Sequence, residues 1–329
     1  MRFSTIAAAA AVASIAEAQR PANTSVCDYY TTALLKNNTA ANQYTVLTLL
    51  VNTVVIGNYT KPNIPGITFP DVAVPGILAP GTVNGTKVNL LSFFDGSLAS
   101  SNRGGSSGVA VNFLDDGGAA PLMKNLPSNG QTSNQYKLLT HLYQFFGTAL
   151  GCSQQGMTAF PAYQGVASQY QVHKFMALNY AEVSYFIQNV GLAAASFGVA
   201  MPDIQAVATT LTNVFDKRCG PPTAVIPSAG PVLQSICITE DCPEAANSTC
   251  SSYAAVVQPS AANGTMSSNG TSSGNGSTSG GGSGTSGGSS PTPTSSGSSG
   301  SSSSTTGAAP RNAAAGVTVA ALAVAAFFL

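Results

Sequence analysis

The sequence predicts an all-α fold for the central part of this chain. Apolar residues recur at intervals of three and four along several segments between residues 41 and 219, which is the period of an amphipathic helix. Signals that start and stop helices bracket these segments, among them Asn179 with Glu182 three residues later. Short turns join the last four segments, so these helices are expected to pack into one core.

The first predicted helix covers residues 41–56 and ends at Gly57, a residue that suits a helix C-cap. The segment 62–85 mixes Pro, Gly and Val without periodicity, so a long irregular loop is expected there. Leu and Phe residues are then scattered among Gly and Ser over residues 88–127. That composition indicates short helical turns packed under loops.

Two helices are predicted next, on either side of a short connection. Residues 133–150 carry one broad apolar face and stop at Gly151. Pro161 suits the opening of a helix over about 162–174, because proline is tolerated in the first turn.

The last two predicted helices have clearer starts. The capping pair described above opens a helix that begins at Asn179 and continues to Gly198. Pro202 and Asp203 open a final helix that continues to Cys219.

The N-terminal residues 1–18 predict a signal peptide. Arg2 supplies a positive charge, an apolar run follows over residues 6–15, and Ala16-Glu17-Ala18 has the small-x-small form that signal peptidase accepts. A membrane anchor is the alternative, but the run is shorter than the about 20 apolar residues that span a bilayer. The mature chain is therefore expected to begin at Gln19.

The C-terminal residues 313–329 predict a signal for attachment of a glycosylphosphatidylinositol (GPI) lipid. They are apolar and uncharged, and no basic cluster follows them. Small residues lie just upstream, where Asn312 and Gly307 are candidate attachment residues. A single membrane-spanning helix is the alternative. The lipid would hold the protein on the outer leaflet of the plasma membrane or in the cell wall.

Residues 251–312 predict a disordered stalk that separates a folded domain, residues 19–250, from the lipid. The segment consists mostly of Ser, Gly, Thr and Asn, which bury too little apolar surface to offset the entropy of ordering. Sequons for N-glycosylation occur in both parts of the chain, at Asn23, Asn37, Asn58, Asn84, Asn247, Asn263, Asn269 and Asn275.

Charge and motifs exclude several classes of function. Only 7% of residues are charged and the formal net charge is zero, so the chain lacks the basic face that nucleic-acid binding requires. No G-x-S-x-G, P-loop or paired carboxylates support a hydrolase or a kinase. Asp115-Asp116 precedes two glycines and is either a cation site or a solvated acidic turn.

Six cysteines follow the predicted signal peptide, which suggests disulfides formed in an oxidising compartment. Cys237, Cys242 and Cys250 are close enough in sequence to include one local bridge. Cys27, Cys152 and Cys219 would then join distant segments, with one of them bonded to that cluster. Zinc binding by these cysteines is the alternative to disulfides, but no histidine or C-x-x-C pair lies nearby.

The chain has two histidines, His141 and His173, and both lie in predicted helices. A neutral imidazole on the inward face of a helix, beside Phe175 and Met176, suits an axial ligand of heme iron. Porphyrin needs an apolar slot, and iron needs a nitrogen donor. The alternative is a core histidine whose hydrogen bonds are satisfied by protein.

Four motifs follow one another in this region. The run His141–Cys152 contains Phe-Phe-x-x-x-Leu-Gly, and Tyr163-Gln-Gly165 comes next. Gln171-Val-His173 and then Ser196-Phe-Gly-Val199 complete the series. In this order they resemble the distal helix, Tyr-x-Gly motif, proximal histidine and Gly-Val turn of the truncated, two-over-two hemoglobins, with one extra residue before the histidine. The resemblance covers about residues 134–215.

The resemblance implies a globin-like domain with heme as cofactor and His173 as the iron ligand. The side chains that would line the porphyrin are Phe145, Phe146, Phe186 and Ile187, and those facing the distal side are Leu138 and Leu142. His141 would reach the distal pocket or the iron, or else lie at the surface. Residues 51–58 resemble the second helix of the family. This alignment places Asn52 where these globins often carry a tyrosine. A long loop insertion over residues 60–130, the disulfides and the surface anchor depart from the family.

These observations together predict a cell-surface, heme-binding globin-like protein that binds a diatomic gas such as O2 or NO, senses redox state or captures heme. Polar groups on the distal side, at His141, Tyr143 and Gln144, would decide between reversible binding and O–O cleavage. A heme enzyme of peroxidase or dioxygenase type is therefore an alternative. Nothing in the sequence indicates a reductase domain to drive turnover, so an enzyme is not the leading interpretation and no catalytic residue is predicted. A heme-free structural or adhesive cell-wall glycoprotein is the alternative from another class.

Overall fold

The computed structural model of the protein describes residues 20–59 and 72–262. Several sequence predictions lie outside these residues: the signal peptide, the C-terminal tail, most of the stalk and part of the 62–85 loop. The same holds for the sequons at Asn263, Asn269 and Asn275 and for the candidate attachment residues Asn312 and Gly307.

Helices dominate the described part of the chain, which confirms the all-α class in outline. In chain order they are α1 (Val26–Leu35), α2 (Ala40–Ile56), α3 (Ala119–Leu122), α4 (Asn134–Ala149), α5 (Gln169–His173), α6 (Tyr180–Ser196) and α7 (Met201–Phe215). One antiparallel hairpin, formed by β1 (Gly81–Val83) and β2 (Thr86–Val88), lies between α2 and α3. Short 3-10 turns at Leu91–Phe93 and Asn102–Gly104 follow it, as the sequence predicts for that region.

The core forms where α2 packs against both α4 and α6. Helix α6 also packs against α7 and the hairpin, and α1 packs against α2. Buried apolar residues of these helices form one continuous cluster, in which Leu47, Leu139 and Ala193 are almost fully buried. The packed pairs α2/α4 and α6/α7 therefore meet through the contact between α2 and α6.

Helix ends agree with the signals in the sequence. The Asn179 side chain accepts from the Glu182 N–H, and the Glu182 carboxylate accepts from the Asn179 N–H, which is the predicted capping box. Helix α2 ends at Gly57, where φ is +81° and a Cβ atom would lie 2.6 Å from the Val74 carbonyl oxygen. Glycine is required there by both the left-handed backbone and the close approach.

The predicted helix over 162–174 is wrong in its first half, because α5 begins only at Gln169. Side chains from elsewhere satisfy the backbone before it: Gln144 accepts from the Gln164 N–H, and the Gln234 amide donates to the Ala167 carbonyl. Ser168 then caps α5. Tertiary hydrogen bonds thus replace the helical ones that the pattern predicted.

Two elements were not predicted from the sequence. Helix α1 starts at Ser25, whose hydroxyl accepts from the Asp28 N–H. The hairpin turns at Asn84-Gly85, with positive φ at both residues. Asn-Gly is the usual pair for such a turn, so this signal was present within the predicted irregular loop.

The folded unit extends past the predicted start of the stalk at Ser251. The Tyr253 ring packs edge-on against Tyr170, with centroids 4.6 Å apart, and the Ala254 N–H donates to the Tyr170 hydroxyl. Further along, the Ala262 N–H donates to the Ser97 carbonyl. Residues 251–262 therefore belong to the folded unit.

Three disulfides involve all six cysteines, which confirms the predicted arrangement. Cys237–Cys242 is the local bridge, Cys219–Cys250 joins the cluster to the residues after α7, and Cys27–Cys152 joins α1 to the residues after α4. The described part of the chain holds no free cysteine, so none remains to bind zinc.

Within the described ranges, no single helix is both long and apolar enough to cross a membrane. Helices α1 and α2 reach that length and composition only when taken together, with a bend of 95° between them.

Candidate functional site

His173 ends the short helix α5 and is half-buried. Its Nδ1 atom lies 2.8 Å from the carbonyl oxygen of Gln169, one turn earlier. Because a carbonyl can only accept, Nδ1 carries the proton in the neutral ring, and the lone pair is on Nε2. Burial lowers the pKa of His173, and the hydrogen bond to Gln169 opposes that shift only in part. The ring is therefore neutral at physiological pH.

His141 lies in the middle of α4 and is also half-buried. Its ring centroid is 6.2 Å from that of Tyr163. Burial lowers the pKa of His141, and the charges of Arg103 and Lys137 lower it further. His141 is thus a second neutral imidazole, next to an aromatic ring.

Tyr163 connects the helices that carry the two histidines. Its hydroxyl donates to the Val166 carbonyl and accepts from the Gln169 amide at 3.3 Å. Its ring also contacts Phe145 of α4, at a centroid distance of 5.8 Å. In the sequence, Tyr163 stands out only as part of the Tyr-x-Gly motif, and its contacts with both helices identify it as part of this region.

The phenylalanines expected to line a porphyrin pack against one another. Phe145 makes edge-on contacts with Phe146 and with Phe215 of α7, and Phe146 lies 6.4 Å from Phe186. Phe145 and Phe146 are buried, whereas Phe186 is half-buried. Ile187 is buried in α6 and lines a cavity between α1, α2, α6 and α7.

Leu138 and Leu142 are half-buried and pack against the edge of the core. They lie on α4 at spacings of three and one from His141, so Leu138, His141 and Leu142 share one side of the helix. These three side chains are expected to face the distal side, and each keeps part of its surface exposed.

Asn52 is fully buried in α2, and both ends of its amide are used inside the core. Its Nδ2 donates to the Leu122 carbonyl, and its Oδ1 accepts from the Tyr143 hydroxyl at 2.7 Å. Gln144 is buried too, and its side-chain oxygen accepts from the Gln164 N–H. These polar groups, predicted to act on a distal ligand, therefore have protein partners.

Two cavities in residues 20–59 and 72–262 are lined by residues other than the histidines. The first has a volume of about 60 Å³ and an almost wholly apolar lining from α1, α2, α6 and α7, including Tyr30, Leu47 and Ile204. The second has a volume of about 240 Å³ and lies beside the Cys219–Cys250 disulfide. Among its lining residues, Cys219 and Cys250 were singled out from the sequence as disulfide candidates, and no motif marks the others, such as Arg218.

The acidic turn at Asp115-Asp116 supports the fold. Burial alone would raise the pKa of Asp115, but hydrogen bonds from Gln135 and Asn134 at the start of α4 outweigh it and lower the pKa. Asp116 accepts from the Gly130 N–H at 2.6 Å. Across residues 20–59 and 72–262, no three His, Cys, Asp or Glu side chains come together as a metal site would require.

The described sequon asparagines are all exposed, namely Asn23, Asn37, Asn58, Asn84 and Asn247. Exposure is what attachment of a sugar requires. Asn84 lies at the tip of the β hairpin, and Asn58 follows the C-cap of α2.

Comparison of this chain with models of protein families, with curated proteins and with solved structures found no match.

Proposed function

We propose that this protein is a globin-like, heme-binding protein of the cell surface, with His173 as the iron ligand. The observation that carries the proposal is the hydrogen bond between His173 Nδ1 and the Gln169 carbonyl. A histidine that binds a metal through one ring nitrogen usually donates from the other to a carboxylate or a backbone carbonyl, which fixes the tautomer. His173 is therefore prepared to donate a lone pair from Nε2.

The arrangement of helices supports the same proposal. Helix α2 packs on α4, α6 packs on α7, and α2 and α6 also pack on each other. Two packed pairs are what a two-over-two helical sandwich requires. The short helix α5, between α4 and α6, places His173 in the position in chain order that the proximal histidine has in truncated hemoglobins.

The donor chemistry at His173 fits heme iron, because a neutral imidazole with a held Nδ1 proton is a common axial ligand. Ligand sites usually have volumes of roughly 300–1,000 Å³, and the cavities of about 60 and 240 Å³ both lie elsewhere. Binding therefore requires half-buried side chains such as Leu138, Leu142 and Phe186 to move.

Bound heme would supply an iron that binds a diatomic gas or exchanges an electron. Its physiological use would then be gas binding, redox sensing or heme capture. The chain itself would contribute the Nε2 donor of His173, an apolar surface from α4 and α6, and His141 on the opposite helix. The predicted leader and lipid tail support a location on the outer face of the plasma membrane or in the cell wall. Release of the protein by phosphatidylinositol-specific phospholipase would test the lipid anchor.

A heme-free structural or adhesive glycoprotein is the second candidate, and the packing of the aromatic residues favours it. The Phe145 ring contacts the rings of Phe146, Tyr163 and Phe215 directly, with centroid distances of 5.8–6.0 Å. The exposed sequons are also what a glycosylated surface protein needs.

Titration of the purified full-length chain with hemin tests the first proposal against the second. We expect the wild type to give a Soret band at one heme per chain. Loss of a residue that hydrogen-bonds to a metal ligand weakens metal binding by about 10–100-fold. We expect His173→Ala, which removes the ligand itself, to weaken heme binding by more than that. His141→Ala removes the other imidazole and should still bind one heme per chain, because His173 remains to bind the iron. An unchanged hemin spectrum on addition of wild type, or loss of binding in His141→Ala alone, would refute the proposal.

A further inference from the structure

Helix α5 carries His173 but is too short to hold its own position. It has 5 residues, whereas an isolated helix needs about 12–15 residues to be even marginally stable in water. The hydrogen bond of His173 Nδ1 ends on the carbonyl oxygen of Gln169, in the first turn of this helix. That acceptor therefore stays in place only if contacts from outside α5 hold the first turn.

The side-chain amide of Gln234 makes such contacts. Its Oε1 accepts from the Gln169 N–H at 3.1 Å, and its Nε2 donates to the carbonyls of Ala167 at 3.1 Å and Thr223 at 3.2 Å. Gln234 is only 1% exposed, so water cannot replace these bonds when they break. One buried side chain thus ties the start of α5 to the chain that follows α7.

The partners of this amide fix its orientation. If its oxygen and nitrogen exchanged places, the NH2 group would face the N–H of Gln169, and the oxygen would face two carbonyl oxygens. Both contacts would set like groups against each other. Gln234 therefore specifies a single position for the backbone at the start of α5.

Two further contacts hold α5 from the same part of the chain. The Ser168 hydroxyl, which caps α5, donates to the Leu233 carbonyl at 2.6 Å. The hydroxyl of Tyr170 accepts from the Ala254 N–H at 2.8 Å. The residues after α7 thus contact three successive residues at the start of the helix that carries His173.

We propose that Gln234 is a positioning residue for His173, which holds the Gln169 carbonyl in place and so keeps the proton on Nδ1 and the lone pair on Nε2. The importance of that lone pair rests on the proposed function, in which Nε2 binds iron. Gln234 lies outside residues 134–215, the region that resembles truncated hemoglobins. The segment after α7 is then part of the support of the heme site.

Nitrogen NMR of the imidazole rings in the heme-free, full-length chain tests the proposal. The chain has 2 histidines, so the spectrum of His173→Ala assigns both sets of signals. At pH 8 we expect the wild-type His173 ring to carry its proton on Nδ1. Gln234→Met keeps an unbranched side chain but removes three hydrogen bonds. It should raise the ratio of the Nε2–H to the Nδ1–H tautomer by about 2–10-fold, the net effect of losing one hydrogen bond.

Gln135→Met is the matched control. Gln135 is also fully buried, and its Oε1 accepts from the Gly118 N–H at 2.9 Å. Its Nε2 donates to the carbonyls of Gly118 and Pro127, so it makes the same kinds of bond without touching α5. Both variants should lose stability to urea, but only Gln234→Met should change the tautomer ratio of His173.

Ser168→Ala provides a milder variant in case Gln234→Met does not fold. It removes the cap of α5 and the bond to Leu233, and it should change the tautomer ratio in the same direction. A wild-type ring protonated on Nε2 would overturn the proposal. An unchanged ratio in every folded variant of Gln234 and Ser168, or an equal change in Gln135→Met, would do the same.

Hemin titration of the same variants separates this inference from the heme proposal. If the wild type binds heme, Gln234→Met should bind it about 10–100-fold more weakly, and Gln135→Met should stay within about twofold of the wild type. Equal heme affinities of Gln234→Met and the wild type would count against Gln234. If the wild type shows no Soret band, the heme proposal fails, and the tautomer ratio alone decides the role of Gln234.

Discussion

The carboxyl group of Asp216 is buried at the end of α7, with only 1% of the residue exposed. One oxygen accepts from the Ser184 hydroxyl at 2.8 Å, and the other has no partner within the described residues. Burial raises the pKa of Asp216 to about 7, although the Ser184 hydrogen bond and Lys217 oppose the shift. A negative charge is also unfavourable at a helix C-terminus.

This raised pKa makes the stability of the domain depend on pH. Between the unperturbed pKa of 3.8 and the folded-state pKa of about 7, the folded chain binds more protons than the unfolded chain. Stability contributed by Asp216 is therefore present at low pH and is lost as the pH rises through this window.

We expect Asp216→Asn to be more stable than wild type at pH 8, by about 1–3 kcal/mol, the usual penalty for a buried group without a partner. That gain corresponds to roughly 2–4 °C in Tm per kcal/mol for a domain of this size. Thermal unfolding at pH 4 and pH 8 measures it. The difference should vanish at pH 4. A gain of equal size at both pH values would contradict the assignment.

At the scale of elements, capping distinguishes α6 from α7. Asn179 caps α6 through its side chain, whereas Ala200 at the start of α7 provides no side-chain cap. We expect Asn179→Ala to destabilise the domain by about 1 kcal/mol and Ala200→Ser to stabilise it by a similar amount. Urea unfolding with a shared m-value measures both changes. Changes of the same sign would show that tertiary contacts outweigh the caps.

Helices were predictable where local signals and tertiary packing agree. The Asn179–Glu182 pair and Gly57 fixed two boundaries correctly, because caps act within one turn. Helix α5 was predicted too long, since the chain before it bonds to the side chains of Gln144 and Gln234, which are distant in sequence.

The candidate site was predictable only in part. Sequence pattern placed His141 and His173 on helices that flank one region, and Tyr163 contacts residues of both helices. The hydrogen bonds of Asn52 to Leu122 and Tyr143 depend on how α2 meets α3 and α4, which spacing within one helix does not encode.

At the scale of the whole molecule, the disulfides close loops of very different length. Cys27–Cys152 spans 125 residues, and Cys237–Cys242 spans 5. In the chain-entropy model, the longer loop stabilises the fold by about 5 kcal/mol and the shorter by about 2 kcal/mol. We expect the double alanine variant of Cys27 and Cys152 to lose more stability to urea than that of Cys237 and Cys242. Equal losses would mean that local packing, not loop closure, dominates.

We base the proposal of a tethered heme protein on the two packed helix pairs, the one-turn helix that carries His173 and the predicted surface anchor. All of its proposed chemistry depends on one bond, between His173 Nε2 and iron. A variant that lacks only the imidazole of His173 tests that bond most directly.

The decisive measurement is the absorption spectrum of the His173→Gly variant with hemin, before and after addition of free imidazole. If His173 binds the iron, the variant lacks the wild-type Soret band. Free imidazole at about 10 mM, which exceeds the roughly 1 mM Kd of a weak ligand, then restores the band. A wild-type spectrum in the variant without imidazole, or no Soret band in the wild type itself, would contradict the account.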